Sequence, residues 1–196
     1  MDSERERTSK AALRRTVLAA RRTRDGARRD EIGSLLAAHA AAEPVLARAR
    51  RAAVYLAMPD EPPTDAIIDS LPGDVLVPLT RPEGRLDWVA HDPSAPLRRS
   101  ALGVPEPEGE PLPGDPLAEA DVVYLPALAV DLHGVRLGRG AGYYDRALAA
   151  LDDAPRRPLT CAVVFSDELV AHVPAEPHDR PVDLVLTEAG LFRPSP

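Results

Sequence analysis

With one cysteine in 196 residues, Cys161, the chain has no intramolecular disulfide and no cysteine cluster for zinc or an iron–sulfur centre. That thiol reads as a buried structural residue. No apolar run approaches the roughly 20 residues that cross a bilayer, and the charged N-terminal stretch lacks a signal-peptide core. The expected compartment is therefore the cytoplasm, with no membrane partner. A basic excess is missing too, since the formal net charge is -7. Without a basic field over one face, nonspecific nucleic-acid binding is not expected. Arg5 to Arg29 is the local exception, rich in basic residues. It is open to reading as a basic helix beside an anionic ligand, a disordered arm or a membrane-surface helix, although its apolar residues are too few and small for strong membrane attachment. The sequence also lacks a Gly-x-Ser-x-Gly elbow and a glycine loop followed by Lys-Ser/Thr. His39, His91 and His172 have no convergent ligand set for zinc, and His133 reads as peripheral.

What is present reads as a single α/β domain over 1–196, with the first nine residues a flexible lead. Helical rhythm runs from Lys10 to about Arg24, with Ser9 as N-cap and Lys10 and Arg14 pointing the same way. Glu31 to Glu43 reads as a second helix stopped by Pro44. Core strands are expected at 51–58, 74–79, 86–90, 121–125, 160–165 and 182–187, with a short helix begun by Thr64. Residues 92–117, rich in Pro, Gly and acidic residues, read as a long ordered crossing or active-site loop. Strands without polar alternation are buried on both faces, which predicts a mainly parallel central sheet flanked by helices, a three-layer Rossmann-like fold.

The most informative segment is Arg136-Leu137-Gly138-Arg139-Gly140-Ala141-Gly142-Tyr143-Tyr144-Asp145-Arg146. Its three glycines let the backbone take positive φ or approach a ligand closely, so successive N–H groups can face anionic oxygens. The helix expected from Tyr143 to Leu151 begins directly after them. Asp145 is a candidate magnesium ligand, and Arg139 or Arg146 can neutralise phosphate charge, a division that suits phosphoryl transfer. A glycine-rich turn with surface arginines has the same spacing, and that reading stays open. Glu61, just beyond the first strand, lies where sheet enzymes place ligand-contacting groups. Taken alone it also fits a solvated turn. Residues 173–183 hold Glu176, His178, Asp179 and Asp183 among prolines. This loop either binds a ligand, with His178 as a phosphate donor, or braces Asp179 and Asp183 against backbone amides.

From Lys10 to about Glu188 the chain resembles the 5-formyltetrahydrofolate cyclo-ligase family, also called 5,10-methenyltetrahydrofolate synthetase. The glycine segment carries the resemblance, supported by Lys10 with Arg14, Tyr55 through Glu61 and Thr64, Gly103-Val104-Pro105-Glu106-Pro107, and Pro174 through Asp179 with Asp183. The resemblance implies ATP-dependent closure of 5-formyltetrahydrofolate to 5,10-methenyltetrahydrofolate, with ADP and phosphate released, Mg2+ present and a phosphorylated formyl intermediate. It implies ATP contacts from Lys10, Arg14, Arg136, Gly138, Arg139, Gly140, Ala141, Gly142, Tyr143 and Asp145, with Asp145 as the metal residue. Arg139, Tyr144 and Asp145 are the implied catalytic residues. Tyr55, Met58, Glu61, Trp88 and Tyr144 are the implied folate-binding residues. A monomer is expected. The alternatives are a paralogous ATP-dependent small-molecule kinase or ligase, and a non-catalytic nucleotide-binding interaction protein.

Three positions depart from the family pattern. Ala141 replaces a frequent glycine, which is tolerated at negative φ and distorting at positive φ. Asp60 with Pro62-Pro63 stiffens and acidifies the Glu61 turn. Met58 stands where Phe is frequent, an adaptable replacement in a pocket wall.

Overall fold

A seven-stranded sheet organises the molecule. The computed structural model describes residues 2–152, 154, 156–176 and 179–195, with side chains from Ser9 onward. In chain order the elements are α1 (Asp2–Arg22), α2 (Arg29–Ala42), α3 (Pro44–Ala47), β1 (Arg51–Val54), α4 (Asp65–Ser70), β2 (Asp74–Thr80), β3 (Leu86–Ala90), β4 (Leu97–Arg99), β5 (Pro105–Pro107), β6 (Val122–Pro126), β7 (Ala129–Asp131), β8 (Arg136–Leu137), α5 (Tyr143–Ala149), β9 (Leu159–Val163), β10 (Leu169–Val170), β11 (Leu184–Thr187) and β12 (Gly190–Phe192).

In the seven-stranded sheet, ordered β12-β11-β9-β6-β1-β2-β3, the five inner strands run parallel, and β3 and β12 close the two edges antiparallel. Successive side chains of a strand point to opposite faces, so each inner strand feeds two apolar layers. Ala52, Val54, Tyr124, Cys161 and Val163 face a layer with Ile32 and Leu36 of α2 and Ile67 of α4. Ala53, Leu76, Val123, Leu125 and Ala162 face the other, where Leu148 of α5 and Leu117 pack. Helices on both faces of a mostly parallel sheet make the three-layer α/β arrangement expected from the unbroken apolar strands.

A smaller sheet, β10-β7-β8, forms a third centre. Val17 of α1 packs there with Leu128, Leu137 and Val173. This sheet places the glycine loop, because β8 leads straight into it. Its strands of two or three residues are too short to show a period in the sequence. Helix α1 begins at Asp2, so Ser9 lies inside the helix rather than at its cap. Pro44 ends α2 as expected and then starts α3 at a first-turn position, where its missing N–H costs nothing. The crossing at 92–117 holds the hairpin β4–β5, which buried Glu106 ties to β2 by accepting from Thr80 N–H at 2.7 Å.

Candidate active site

The first strand is shorter than its apolar run, and that shortening builds one wall of a cleft. Pairing ends at Val54, and the chain then folds back on itself. Thr64 Oγ1 donates to the Tyr55 carbonyl at 2.7 Å, and the Tyr55 hydroxyl donates to the Pro62 carbonyl at 3.0 Å. Burial pushes the Tyr55 phenol well above its ordinary pKa, with Glu61 nearby adding to the shift. Its hydroxyl is spent inside the turn, so Tyr55 offers the cleft a ring. At the tip, Glu61 is only 6% exposed. Its Oε2 accepts from Met58 N–H at 3.0 Å, and its Oε1 accepts from Arg139 Nε at 3.0 Å. Arg29, from the start of α2, donates to the carbonyls of Met58, Pro59 and Glu61 and braces the turn from behind. Sequence reasoning missed Arg29, which carries no local signal within an arginine-rich stretch.

The opposite wall is the glycine loop. Positive φ falls on Gly140 (102°) and Gly142 (71°), while Ala141 is not among the positive-φ residues. The alanine therefore sits where its Cβ is tolerated. Arg14 reaches across from α1 to donate Nε to the Gly138 carbonyl at 2.9 Å. Arg139 bridges the walls, with Nη2 2.8 Å from Asp60 Oδ1 as well as Nε on Glu61. Burial pulls the Arg139 guanidinium's pKa down, but the hydrogen bonds and charges of Asp60 and Glu61 outweigh it, and the net shift is upward.

Three further ion pairs stand at the cleft, two made by Lys10 and one by Arg136. Lys10, 5% exposed on α1, lies 2.7 Å from Asp179 Oδ2 and 3.1 Å from Glu176 Oε2. Burial favours its neutral form, yet the two carboxylates more than compensate and hold the ammonium above the ordinary lysine pKa. Buried Arg136 donates to Asp145 Oδ1 and to the Arg180 carbonyl. Burial lowers the Arg136 pKa, and Asp145 opposes that shift. The loop at 173–183 shows the bracing expected of it, with Asp179 Oδ2 accepting from Glu176 N–H at 2.7 Å. Asp183 braces Thr160, and Glu176 with Asp179 stands in the cleft; His178 lies outside the described residues.

Together these side chains line a cleft of about 460 Å³. It gathers Lys10, Arg14, Tyr55, Met58, Glu61, Arg136, the 138–143 loop, Tyr144 and Asp145 from the expected set. Trp88 is the exception. At 4% exposed it packs in the apolar layer with Leu76, Val123 and Leu148, and it is not among the lining residues. Its ring is taken up in the layer with Leu148 of α5, where a large aromatic buries much apolar surface. The apolar lining comes instead from Pro78, Leu86, Leu102 and Val104. Arg146 also leaves the cleft, donating to the Gly84 and Ala141 carbonyls. Tyr144 lines the cleft with its hydroxyl buried and without a hydrogen-bond partner among the described residues. Burial raises its pKa, so the phenol stays a neutral donor.

Among the described residues no group of three or more His, Cys, Asp or Glu side chains could hold a metal ion. Magnesium, however, is commonly carried on substrate phosphates with one or two carboxylates. Asp145, with its side chain half exposed beside the glycine loop, fits that pattern.

One cleft of an open α/β sheet thus sets a basic glycine loop opposite a buried carboxylate, in the kind of crevice where such sheets bind ligands. Residues 6–188 match the 5-formyltetrahydrofolate cyclo-ligase family, and the chain belongs to that family. It is 40% identical over 146 residues to a 5-formyltetrahydrofolate cyclo-ligase of Mycolicibacterium smegmatis, covering 70% of this chain and 73% of the relative. It is 30% identical over 167 residues to the cyclo-ligase of Escherichia coli K12, covering 83% and 91%. The solved 5,10-methenyltetrahydrofolate synthetase of Aquifex aeolicus superposes with a TM-score of 0.78 at 26% identity, covering 95% of this chain and 93% of that one.

Proposed function

We propose that this enzyme closes 5-formyltetrahydrofolate to 5,10-methenyltetrahydrofolate at the expense of ATP, releasing ADP and phosphate. The observation that carries the reading is the meeting of the glycine loop and the Glu61 turn across one cleft, joined by Arg139. In this reading Lys10, Arg14, Arg136, Arg139 and the 138–143 backbone hold the nucleotide phosphates. Tyr55, Met58, Glu61 and Tyr144 hold the folate. The enzyme works as a single-domain monomer in the cytoplasm.

A formamide oxygen is a poor leaving group, and phosphorylation makes it a good one. The formyl oxygen attacks the γ-phosphorus of ATP, and ADP departs with the electrons of the broken P–O bond. Folate N10 then attacks the activated formyl carbon, the C–O bond breaks, phosphate leaves and N10 gives up its proton. No side-chain nucleophile takes part, which agrees with Cys161 being buried in the core. Two nitrogens already held around one carbon make the second step intramolecular. Arg139 and Lys10 stabilise charge on the transferring group. Magnesium, held by Asp145 and phosphate oxygens, would add charge neutralisation there. Glu61 accepts from a heterocycle N–H of the folate, and the Tyr144 hydroxyl finds in the folate the acceptor that it lacks in the free protein.

Isotope transfer tests the sequence of steps. With 18O in the formyl group, the reading expects one label atom in each released phosphate. Label recovered in water, with unlabelled phosphate, would overturn it.

A further inference from the structure

Arg146 closes the glycine motif yet turns away from the cleft. Its Nε donates to the Gly84 carbonyl at 2.9 Å, its Nη2 donates to the Ala141 carbonyl, and its guanidinium lies 5.9 Å from the centroid of the Tyr143 ring. Tyr143 in turn donates its hydroxyl to the Arg81 carbonyl at 3.4 Å. One arginine thus joins the β2–β3 turn to the glycine loop, elements 62 residues apart in sequence. The turn is bent to allow it. Glu83 has φ 64°, a conformation no other non-glycine residue takes among those described, and Gly84 follows at φ 73°. Such backbone is uncommon for glutamate and persists where the surroundings enforce it. A Cβ on Gly84 would lie 1.6 Å from Arg146 Nη2, and one on Gly142 would lie 2.8 Å from Nη1. Both glycines therefore leave the space that the guanidinium fills.

We infer that Arg146 is a positioning residue, which aims the Gly142 N–H at the nucleotide phosphates by holding the Ala141 carbonyl on the outside of the loop. These two groups share one planar trans peptide and point in opposite directions. With the carbonyl on Arg146, the N–H faces the cleft that Ala141 and Gly142 line. Flipping this peptide would put a carbonyl oxygen against phosphate. Glycines on both sides of Ala141 make the flip sterically easy, and an outside anchor opposes it. Gly84 supplies a second acceptor, so Arg146 does not swing into the cleft as a phosphate ligand. The inference rests on the nucleotide-binding role proposed for this loop.

Four forms of the enzyme, wild type, R146A, R146K and G84A, separate the possibilities, with both substrates varied and amide hydrogen exchange followed in the ligand-free protein. In R146A the KM for ATP rises about tenfold, equivalent to about 1.4 kcal/mol, with kcat and the KM for folate within about twofold. Exchange at Gly142 quickens. Millimolar guanidinium restores much of the lost ATP affinity to R146A, R146K recovers part of it, and G84A reproduces the defect by displacing the arginine. An unchanged KM for ATP in R146A beside an active wild type would overturn the inference and leave the proposed function standing. A uniform loss of every kinetic parameter with lowered Tm and no guanidinium rescue would overturn it too, reducing Arg146 to a structural brace. If the wild type itself fails to use ATP, the proposed function falls, and unchanged Gly142 exchange in R146A would then refute the clasp independently.

Discussion

Glu61 Oε1 accepts a hydrogen bond from Arg139 Nε at 3.0 Å, so the carboxylate assigned to folate and an arginine assigned to phosphate hold each other in place across 78 residues of sequence. Glu61 is the buried partner, and its removal leaves Arg139 with Asp60 as its one acidic partner among the described residues. E61A is therefore expected to raise the KM for folate and, by releasing Arg139, the KM for ATP as well. The E61A/R139A double-mutant cycle measures the link, with an expected coupling of about 1–3 kcal/mol. Strict additivity would show that the contact does not matter to turnover.

Asp145 serves Arg136 as well as the proposed metal. D145N keeps the shape and a hydrogen-bond acceptor while removing the charge. Its kcat/KM for magnesium-ATP is expected to fall about 100-fold, the scale of a lost contact to a charged group of roughly 3 kcal/mol. The KM for folate stays close to wild type. Steady-state titration of each substrate checks the split.

The unpartnered Tyr144 hydroxyl makes an unusual pair of expectations for Y144F. Removing an unsatisfied buried polar group costs the free protein nothing, so Tm stays the same or rises slightly. Turnover loses one hydrogen bond, about 3- to 10-fold in kcat/KM for folate. Thermal melts with and without folate, alongside the kinetics, show whether ligand gain and loss follow that hydroxyl.

Asp183 links β9 and β11 by accepting from Thr160 N–H at 2.8 Å and Thr160 Oγ1 at 2.7 Å, with Arg157 on its other side. Burial alone raises its pKa, but these hydrogen bonds and the arginine outweigh it and hold the carboxyl below the ordinary aspartate value. A folded-state pKa below the unfolded one, about 3.9, gives stability that is present at neutral pH and lost as pH falls through the folded value. D183N is therefore expected to be less stable than wild type by about 1–3 kcal/mol at pH 7, with the gap closing below pH of about 4. Urea unfolding at both pH values reads it.

The parallel core was legible because strands buried on both faces are apolar throughout, as at 122–125 and 160–163. The site was legible where chemistry is concentrated in one segment, as in 136–146. What escaped depends on long-range packing. The strands β7, β8 and β10 are too short to show a period. Trp88 looks the same in sequence whether it lines a cleft or fills a core, and its burial in the layer with Leu76, Val123 and Leu148 decides. The return of the chain after Val54 hinges on side-chain bonds from Thr64 and Tyr55, which no local propensity records. Arg146 looked like a phosphate ligand by spacing, and two carbonyls, one of them 62 residues away, claim it instead.

The most direct measurement incubates the purified enzyme with 5-formyltetrahydrofolate, ATP and magnesium, following the methenyl chromophore and ADP together. The account predicts equal amounts of both products, neither forming when ATP or folate is left out. ADP released without the chromophore, or no turnover where a known cyclo-ligase is active, would contradict it.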